Sequence, residues 1–204
     1  VTAPLIGLIG YKRSGKNTVA DLLGAQWSQV AFADPLRDAA YALNPIVYPY
    51  FDSDDGTAII RYREVIDELG YEGAKTDYPE VRAILQRLGT DAIRALDDDF
   101  WLRAGMTRVD DQRTRGPVVV TDARFPNEAD AIRKRGGYIV RVNRPGTIPG
   151  PDAHESETAL DDYDSDLDIE NDGDLDYLAE QVRHTAAVVL AAHELRSSMH
   201  HVIS

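Results

Sequence analysis

Pro4-Leu5-Ile6-Gly7-Leu8-Ile9-Gly10-Tyr11-Lys12-Arg13-Ser14-Gly15-Lys16-Asn17-Thr18 is the stretch from which the rest of the chain is read. A short apolar run rich in Leu and Ile stops at Gly10, and beyond Gly15-Lys16 apolar residues return at helical spacing through Thr18-Val19-Ala20-Asp21-Leu22-Leu23. The expectation is strand, loop, helix. The loop has the pattern Gly-x4-Gly-Lys, in which glycines let successive backbone N–H groups turn inward around phosphate oxygens while the lysine reaches the β- and γ-phosphates. The following helix adds the positive end of its dipole. Gly10, Lys12, Arg13, Ser14, Gly15, Lys16, Asn17 and Thr18 are therefore the candidate ATP-phosphate residues. The plainer alternative is a glycine-rich turn with no ligand. Three cations in the loop, with a strand before it and a helix after it, favour phosphate.

One position departs from the usual pattern. Asn17 stands where a Ser or Thr would offer a hydroxyl to Mg²⁺, and the hydroxyl comes one residue later, at Thr18. Nucleotide kinases of the adenylate kinase type are similar in displacing it by one residue.

The chain has 204 residues, 43% of them hydrophobic, enough for one well-buried core and barely enough for two domains. A formal net charge of −13 argues against broad contact with duplex nucleic acid or an anionic membrane surface. The cations should instead gather where phosphate sits. The absence of cysteine excludes disulfides, thiolate metal sites and cysteine nucleophiles. No stretch has the length of a membrane-spanning helix, and the N-terminus reads as a core strand rather than a signal, so a soluble, cytoplasmic protein is expected.

Gln29-Val30-Ala31-Phe32-Ala33 reads as a second strand, ended by Asp34-Pro35, with a helix restarting near Leu36. Residues 44–56 read as an aromatic loop. Apolar spacing predicts helices from about Ile59 to Leu69 and from Pro79 to Leu96, both bearing arginines. Pro117–Asp122 is a third strand, followed by a helix to about Arg135 that closes at Gly136-Gly137. Tyr138–Val142 is a fourth strand, about 143–166 a long loop, Leu167–Glu170 a short fifth strand, and Leu175 to about Leu195 a closing amphipathic helix. Strands alternating with helices imply an α/β fold: a five-stranded parallel sheet between two helical layers, with chemistry at the carboxyl edge of the strands. That edge collects the phosphate loop, Asp34, Asp122 with Arg124, Arg144 and Asn171.

Asp122 ends an apolar strand, as does the second carboxylate that holds Mg²⁺ in phosphate-loop NTPases; it is also placed to cap the helix that follows. Thr18 and Asp122 are the candidate metal residues. Arg124, two residues on, can pair with Asp122 or grip a substrate phosphate, since a planar guanidinium suits both.

Gly10–Thr18, Phe32-Ala33-Asp34-Pro35-Leu36-Arg37, Gln86-Arg87-Leu88-Gly89-Thr90-Asp91 with Trp101 after it, Thr121–Glu128, and His154-Glu155-Ser156-Glu157, in this order, resemble the deoxynucleoside monophosphate kinases of bacteriophages. Members more often carry Asp at the position of Asn17. The resemblance implies transfer of the γ-phosphoryl group of ATP, with Mg²⁺, to a deoxynucleoside 5′-monophosphate. It also implies one phosphate-loop kinase domain over 1–204, with a core of about 1–33, 116–142 and 167–204, a helical monophosphate-binding insert of about 34–115 and a lid of about 143–166. Lys16, Arg13, Arg124 and Arg144 then become the catalytic candidates. Asp34, Arg37, Arg87, Arg94, Trp101, Arg124 and Glu157 become the substrate-binding ones. Tyr48, Tyr50, Phe51, Tyr62 and Trp101 offer faces on which a base can stack. Arg61, Arg63 and Arg82 read equally well as partners of surface carboxylates.

His154 has no second His or Cys at ligand spacing, and the acidic run 161–176 lacks the Gly and Glu spacing of a calcium loop. The partners implied are ATP and a deoxynucleoside monophosphate, with no duplex nucleic acid and no membrane; a homodimer is an open option. The location expected is the cytoplasm, that of a host cell if the chain is phage-encoded. A kinase of another small phosphorylated metabolite would share the phosphate loop, and an ATP-dependent switch would bind ATP without an acceptor.

Overall fold

The computed structural model describes residues 2–52, 56–148, 150 and 157–203, so the expectations that concern His154, Glu155 and Ser156 fall outside it. Contacts divide the chain into two compact units, Val1–Phe32 with Gly105–Ser204, and Ala33–Ala104.

The first unit holds a five-stranded parallel sheet made of β1 (Leu5–Ile9), β2 (Ser28–Val30), β5 (Val118–Val120), β6 (Tyr138–Asn143) and β7 (Leu167–Glu170). Their order across the sheet is β2-β5-β1-β6-β7. β1 lies at the centre, paired with β5 through Ile6↔Val119 and with β6 through Gly7↔Ile139. All five of its residues are buried, which is why it reads as an unbroken apolar run rather than an alternating one. Ile6 and Leu8 join Val119, Val140, Val142 and Ile169 in a core covered by α1 (Lys16–Leu22) and α7 (Leu175–Ile203). On the opposite face, α6 (Pro126–Lys134) lays Ile132 against Gly7, so helices cover both faces of the sheet. Among the described residues no helix is long and apolar enough to cross a membrane.

The second unit contains α2 (Asp34–Leu43), the antiparallel hairpin β3 (Ile46–Asp52) and β4 (Gly56–Arg61), α3 (Tyr62–Asp77), α4 (Pro79–Gln86) and a π-helix, Arg87–Arg94. Its core is Ala40, Val47, Tyr62, Val65, Ile66, Ala74 and Val81. The helix α5 (Phe100–Gln112) begins in this unit and ends in the first, where Met106 and Val109 are buried.

Several local expectations are corrected. Residues 46–52 form a strand, not a loop, and Ile59–Arg61 belong to its partner, so the helix expected from Ile59 begins at Tyr62. Ile46-Val47-Tyr48 and Tyr50-Phe51 are strong strand formers, and Pro49 is accommodated because each strand of a two-stranded ribbon is an edge. α2 starts at Asp34 rather than Leu36, since proline fits the first turn of a helix, where its missing N–H has no intrahelical partner. β2 is correspondingly shorter than expected. α3 bends at Gly70, which has φ 64° and ψ 174°. α7 runs on to Ile203, well past Leu195.

Candidate active site

The loop between β1 and α1 holds three residues in the left-handed region: Gly10 at φ 132°, Arg13 at 67° and Gly15 at 106°. A side chain at Gly10 would fall on the carbonyl oxygen of Val142 in neighbouring β6, and one at Gly15 on the amide of Asn171. Glycine is required at both, by conformation and by space. Arg13 adopts the same region without that freedom, the kind of backbone strain that concentrates at functional sites. Asn171, just beyond β7, donates from Nδ2 to the Ser14 carbonyl at 2.8 Å, and its N–H donates to the Asn143 carbonyl at 2.7 Å. One side chain thus ties the phosphate loop to the end of the sheet.

Lys16 opens α1 and curls its ammonium under the loop, donating to the carbonyls of Gly10 at 2.7 Å and Tyr11 at 2.8 Å. Burial, and then the Arg124 guanidinium, lower its pKa from the usual lysine value to about 8; the Asp122 and Glu157 carboxylates oppose the shift. Lys16, Arg124, Asp122 and Glu157 are therefore gathered within one electrostatic neighbourhood. The Ser14 hydroxyl is buried in the loop with no hydrogen-bond partner among the described residues. A cradle with crowded cations and an orphaned buried hydroxyl is suited to phosphate oxygens, which satisfy both at once. Lys12, Arg13, Asn17 and Thr18 are exposed around it.

The N-cap position of α6 is held by Phe125 rather than Asp122. The Asp122 Oδ1 accepts the Phe32 N–H at 2.6 Å, joining the ends of β5 and β2. The capping is done by Glu128, whose Oε2 accepts the N–H groups of Arg124 at 2.7 Å and Phe125 at 3.2 Å. Glu128 therefore fixes the backbone from which the exposed Arg124 side chain projects. Arg144 is exposed just past β6, and its carbonyl accepts the Thr147 hydroxyl at 2.6 Å in a tight turn.

The later part of the stretch expected as a lid is bound to the sheet. Arg141 in β6 donates from Nη2 to the carbonyls of Leu160 at 2.9 Å and Tyr163 at 2.6 Å, and Leu160 is buried. Asp166 exchanges two bonds with Ile139: the Ile139 N–H donates to Asp166 Oδ2 at 2.7 Å and the Asp166 N–H to the Ile139 carbonyl at 2.8 Å. These contacts hold Glu157 and Asp161 close to the phosphate loop. Sequence reading does not reach Arg141, Asp161 or the bracing role of Asn171, because none stands in a recognisable motif.

In the second unit, Asp34 and Arg37 form an ion pair at 3.2 Å, and the Arg37 guanidinium lies 5.2 Å from the centre of the Tyr71 ring. Arg87 pairs with Glu80 at 2.8 Å, and Arg94 closes the same π-helix half-exposed. Trp101 is buried and donates its indole N–H to the Gly89 carbonyl at 3.0 Å, so it braces the π-helix that carries both arginines. π-helical turns occur often at functional sites. Arg61 and Arg63 serve the fold: Arg63 donates to the Tyr41 carbonyl at 2.7 Å and the Ala42 carbonyl at 3.0 Å, Arg61 to the Asn44 carbonyl at 3.2 Å, and together they cap α2. The side chains of Tyr48, Tyr50 and Phe51 are outside the described set.

Residues 43–182 match the model of the deoxynucleotide monophosphate kinase family. This chain belongs to that family. Kinases of this name from Enterobacteria phage T4 and Escherichia phage RB69 are 29% and 27% identical to it. The alignments cover 91% of this chain and 99% of the T4 protein, and 87% of this chain and 97% of the RB69 protein. A protein of Acanthamoeba polyphaga mimivirus described by the same family name is 33% identical over 76% of this chain and 81% of its own. A dephospho-CoA kinase from Campylobacter jejuni is a more remote structural likeness, with a TM-score of 0.47 and 12% identity over 93% of this chain and 98% of that one. The family match covers the second unit from residue 43 onward and the strand-end residues Asp122, Arg124, Arg144 and Glu157, whereas the phosphate loop, Asp34 and Arg37 precede it. Membership and the loop geometry are thus separate observations: the first indicates a kinase, the second a cradle for phosphate.

Proposed function

We propose that this member of the deoxynucleotide monophosphate kinase family transfers the γ-phosphoryl group of ATP to a deoxynucleoside 5′-monophosphate, giving ADP and the deoxynucleoside diphosphate. An oxygen of the acceptor phosphate attacks the γ-phosphorus as the bond to the β-phosphate bridging oxygen breaks. That dianionic oxygen needs no general base. The chain's work is positioning and neutralisation of charge, which supply most of the catalysis in phosphoryl transfer. The observation that carries this reading is the clustering of Lys16 and Arg124 beside the left-handed phosphate loop, in a chain that belongs to this family.

In this reading the loop N–H groups, Lys12, Arg13 and the Ser14 hydroxyl hold the ATP phosphates, and Lys16 and Arg13 follow the charge that develops at the β–γ bridge. Arg124 and Arg144 neutralise the transferring and accepting oxygens. Arg37, Arg87 and Arg94, with Asp34, serve the acceptor, and Trp101 acts on it through the π-helix. The test is ADP formation with ATP and Mg²⁺ across a panel of ribo- and deoxyribonucleoside monophosphates. Formation that depends on deoxynucleoside monophosphates is the expected result. ADP formation indifferent to any monophosphate would leave an ATP-driven switch, and dependence on a different phosphometabolite would move the acceptor.

The residues present fit Mg²⁺. Asp122 and Thr18 supply a carboxylate and a hydroxyl next to the phosphate cradle, the all-oxygen, partly water-filled donor set this ion takes alongside nucleotide phosphates. Among the described residues there is no cluster of three His, Asp or Glu side chains that could hold a metal without the nucleotide. When bound, the ion would neutralise the phosphate oxygens. Asp122→Asn is expected to raise the Mg²⁺ concentration needed for half-maximal activity more than Asn17→Ala does. The opposite ranking in a Mg²⁺ titration would reverse the two assignments.

A further inference from the structure

The peptide unit between Ser14 and Gly15 is held by a side chain from outside the phosphate loop. Gly15 has φ 106°, and glycine moves between positive and negative φ at little cost, so on its own this peptide could turn its C=O and N–H end for end. The Ser14 N–H is engaged within the loop, donating to the Tyr11 carbonyl at 3.1 Å. The Ser14 carbonyl accepts from Asn171 Nδ2 at 2.8 Å. In a trans peptide the C=O and N–H point in opposite directions, so this one bond also directs the Gly15 N–H away from Asn171. That N–H, like the Ser14 hydroxyl, has no hydrogen-bond partner among the described residues.

Asn171 is itself supported from α7. β7 is an edge strand, and the outer backbone groups of such a strand have no neighbouring strand to bond. Gln181 of α7 stands in for one at the last residue: the Glu170 N–H donates to Gln181 Oε1 at 2.9 Å, and Gln181 Nε2 donates to the Glu170 carbonyl at 2.6 Å. On the inner side, the Asn171 N–H donates to the Asn143 carbonyl at 2.7 Å. The end of β7 is thus bonded along both edges, and this fixes the backbone from which the Asn171 side chain reaches the loop.

We propose that Asn171 is a positioning residue for the donor phosphates. It sets the Ser14–Gly15 peptide so that the Gly15 N–H, and not the Ser14 carbonyl, meets a phosphate oxygen of ATP, with Gln181 as its support. The inference rests on the ATP reading above. A reversed peptide would turn a carbonyl oxygen toward phosphate, exchanging attraction for repulsion, and glycine offers no conformational resistance to that reversal.

The experiment measures ATP binding by calorimetric titration without an acceptor, beside the KM values for ATP and for a deoxynucleoside monophosphate. Asn171→Ala should weaken ATP binding by about 10-fold, within the range for one hydrogen bond to a charged group, with the acceptor KM unchanged. Asn171→Asp keeps the shape of the side chain but has no N–H to donate; it should weaken ATP binding at least as much, and it carries the test if the alanine variant fails to fold. Gln181→Ala should give a smaller loss, again confined to ATP. In NMR spectra of protein made with isotope-labelled glycine, ATP should move the Gly15 amide proton downfield in the unmodified protein and much less in the Asn171 variants. ATP bound by those variants as tightly as by the unmodified protein would overturn the proposal. So would a Gly15 amide indifferent to ATP, or a loss that falls equally on both substrates together with a lowered thermal midpoint, the mark of a residue that serves only the fold. An unmodified protein that does not bind ATP would overturn the kinase reading itself, and with it this inference.

Discussion

Lys16→Met should lower turnover by about 10²–10³-fold, the usual loss when one preorganised electrostatic contact to the transition state is removed. Methionine keeps the length of the side chain and drops the charge, so packing under the loop changes little. The bonds from Nζ to the Gly10 and Tyr11 carbonyls are lost as well, but both residues are only partly buried, so water can replace the ammonium there. Circular dichroism and the thermal midpoint should therefore hardly move. The unmodified protein carries a second signature of the same residue. With its pKa lowered to about 8, Lys16 is charged below that pH and progressively neutral above it in the nucleotide-free protein. A polyanion favours the charged form, so ATP affinity should fall as pH rises through 8, and binding above it should take up a proton. Calorimetric titrations in buffers of different ionisation enthalpy would register that uptake, and Lys16→Met should abolish it. Near-normal turnover in the variant would leave the loop structural and remove Lys16 from the mechanism.

β1 and the phosphate loop can be read directly from the sequence because burial on both faces and a demanding backbone geometry each leave few residue choices. Leu5–Ile9 are all buried, and Gly10 and Gly15 each lack the space for a side chain. The parallel sheet follows from the alternation of elements, and β6 and β7 appear nearly where their composition puts them. The hairpin at 46–61 is less legible because prolines, aspartates and aromatics are shared by loops and by two-stranded ribbons. What decides between them is the packing of Val47 against Tyr62 and Val65 in the second core, which is a property of the folded unit.

The candidate site divides in the same way. Residues that contact phosphate through backbone geometry are visible as a motif, and Asp122 and Arg124 are visible because a strand ends there. Trp101 has an aromatic face suited to stacking a base, yet its ring is buried and its indole N–H is spent on Gly89. Arg63 and Arg61 read as surface charges and instead cap α2. An arginine's partner is set by which carbonyls the fold brings near it, and sequence spacing carries no record of that.

Arg144→Ala and Arg94→Ala should separate transfer from acceptor binding, and the kinetic parameter each one moves is the test. A contact with a phosphate that is not being transferred holds ground state and transition state alike, so its loss raises KM and spares kcat. Arg94 is assigned that role from its place at the end of the π-helix, and Arg94→Ala should raise the KM for the deoxynucleoside monophosphate with ATP affinity unchanged. Arg144 projects into solvent just past the end of β6, free of the close packing that would fix a structural arginine. If it meets the transferring phosphoryl group, Arg144→Ala should lower kcat by up to ~10³-fold, the lower end of what arginine fingers contribute, with little change in either KM. The double variant should then show both defects multiplied, because groups that act on different steps combine independently. An Arg144→Ala variant altered only in acceptor KM would move Arg144 into the acceptor's binding contacts and leave Arg124 as the strand-end cation that meets the transition state.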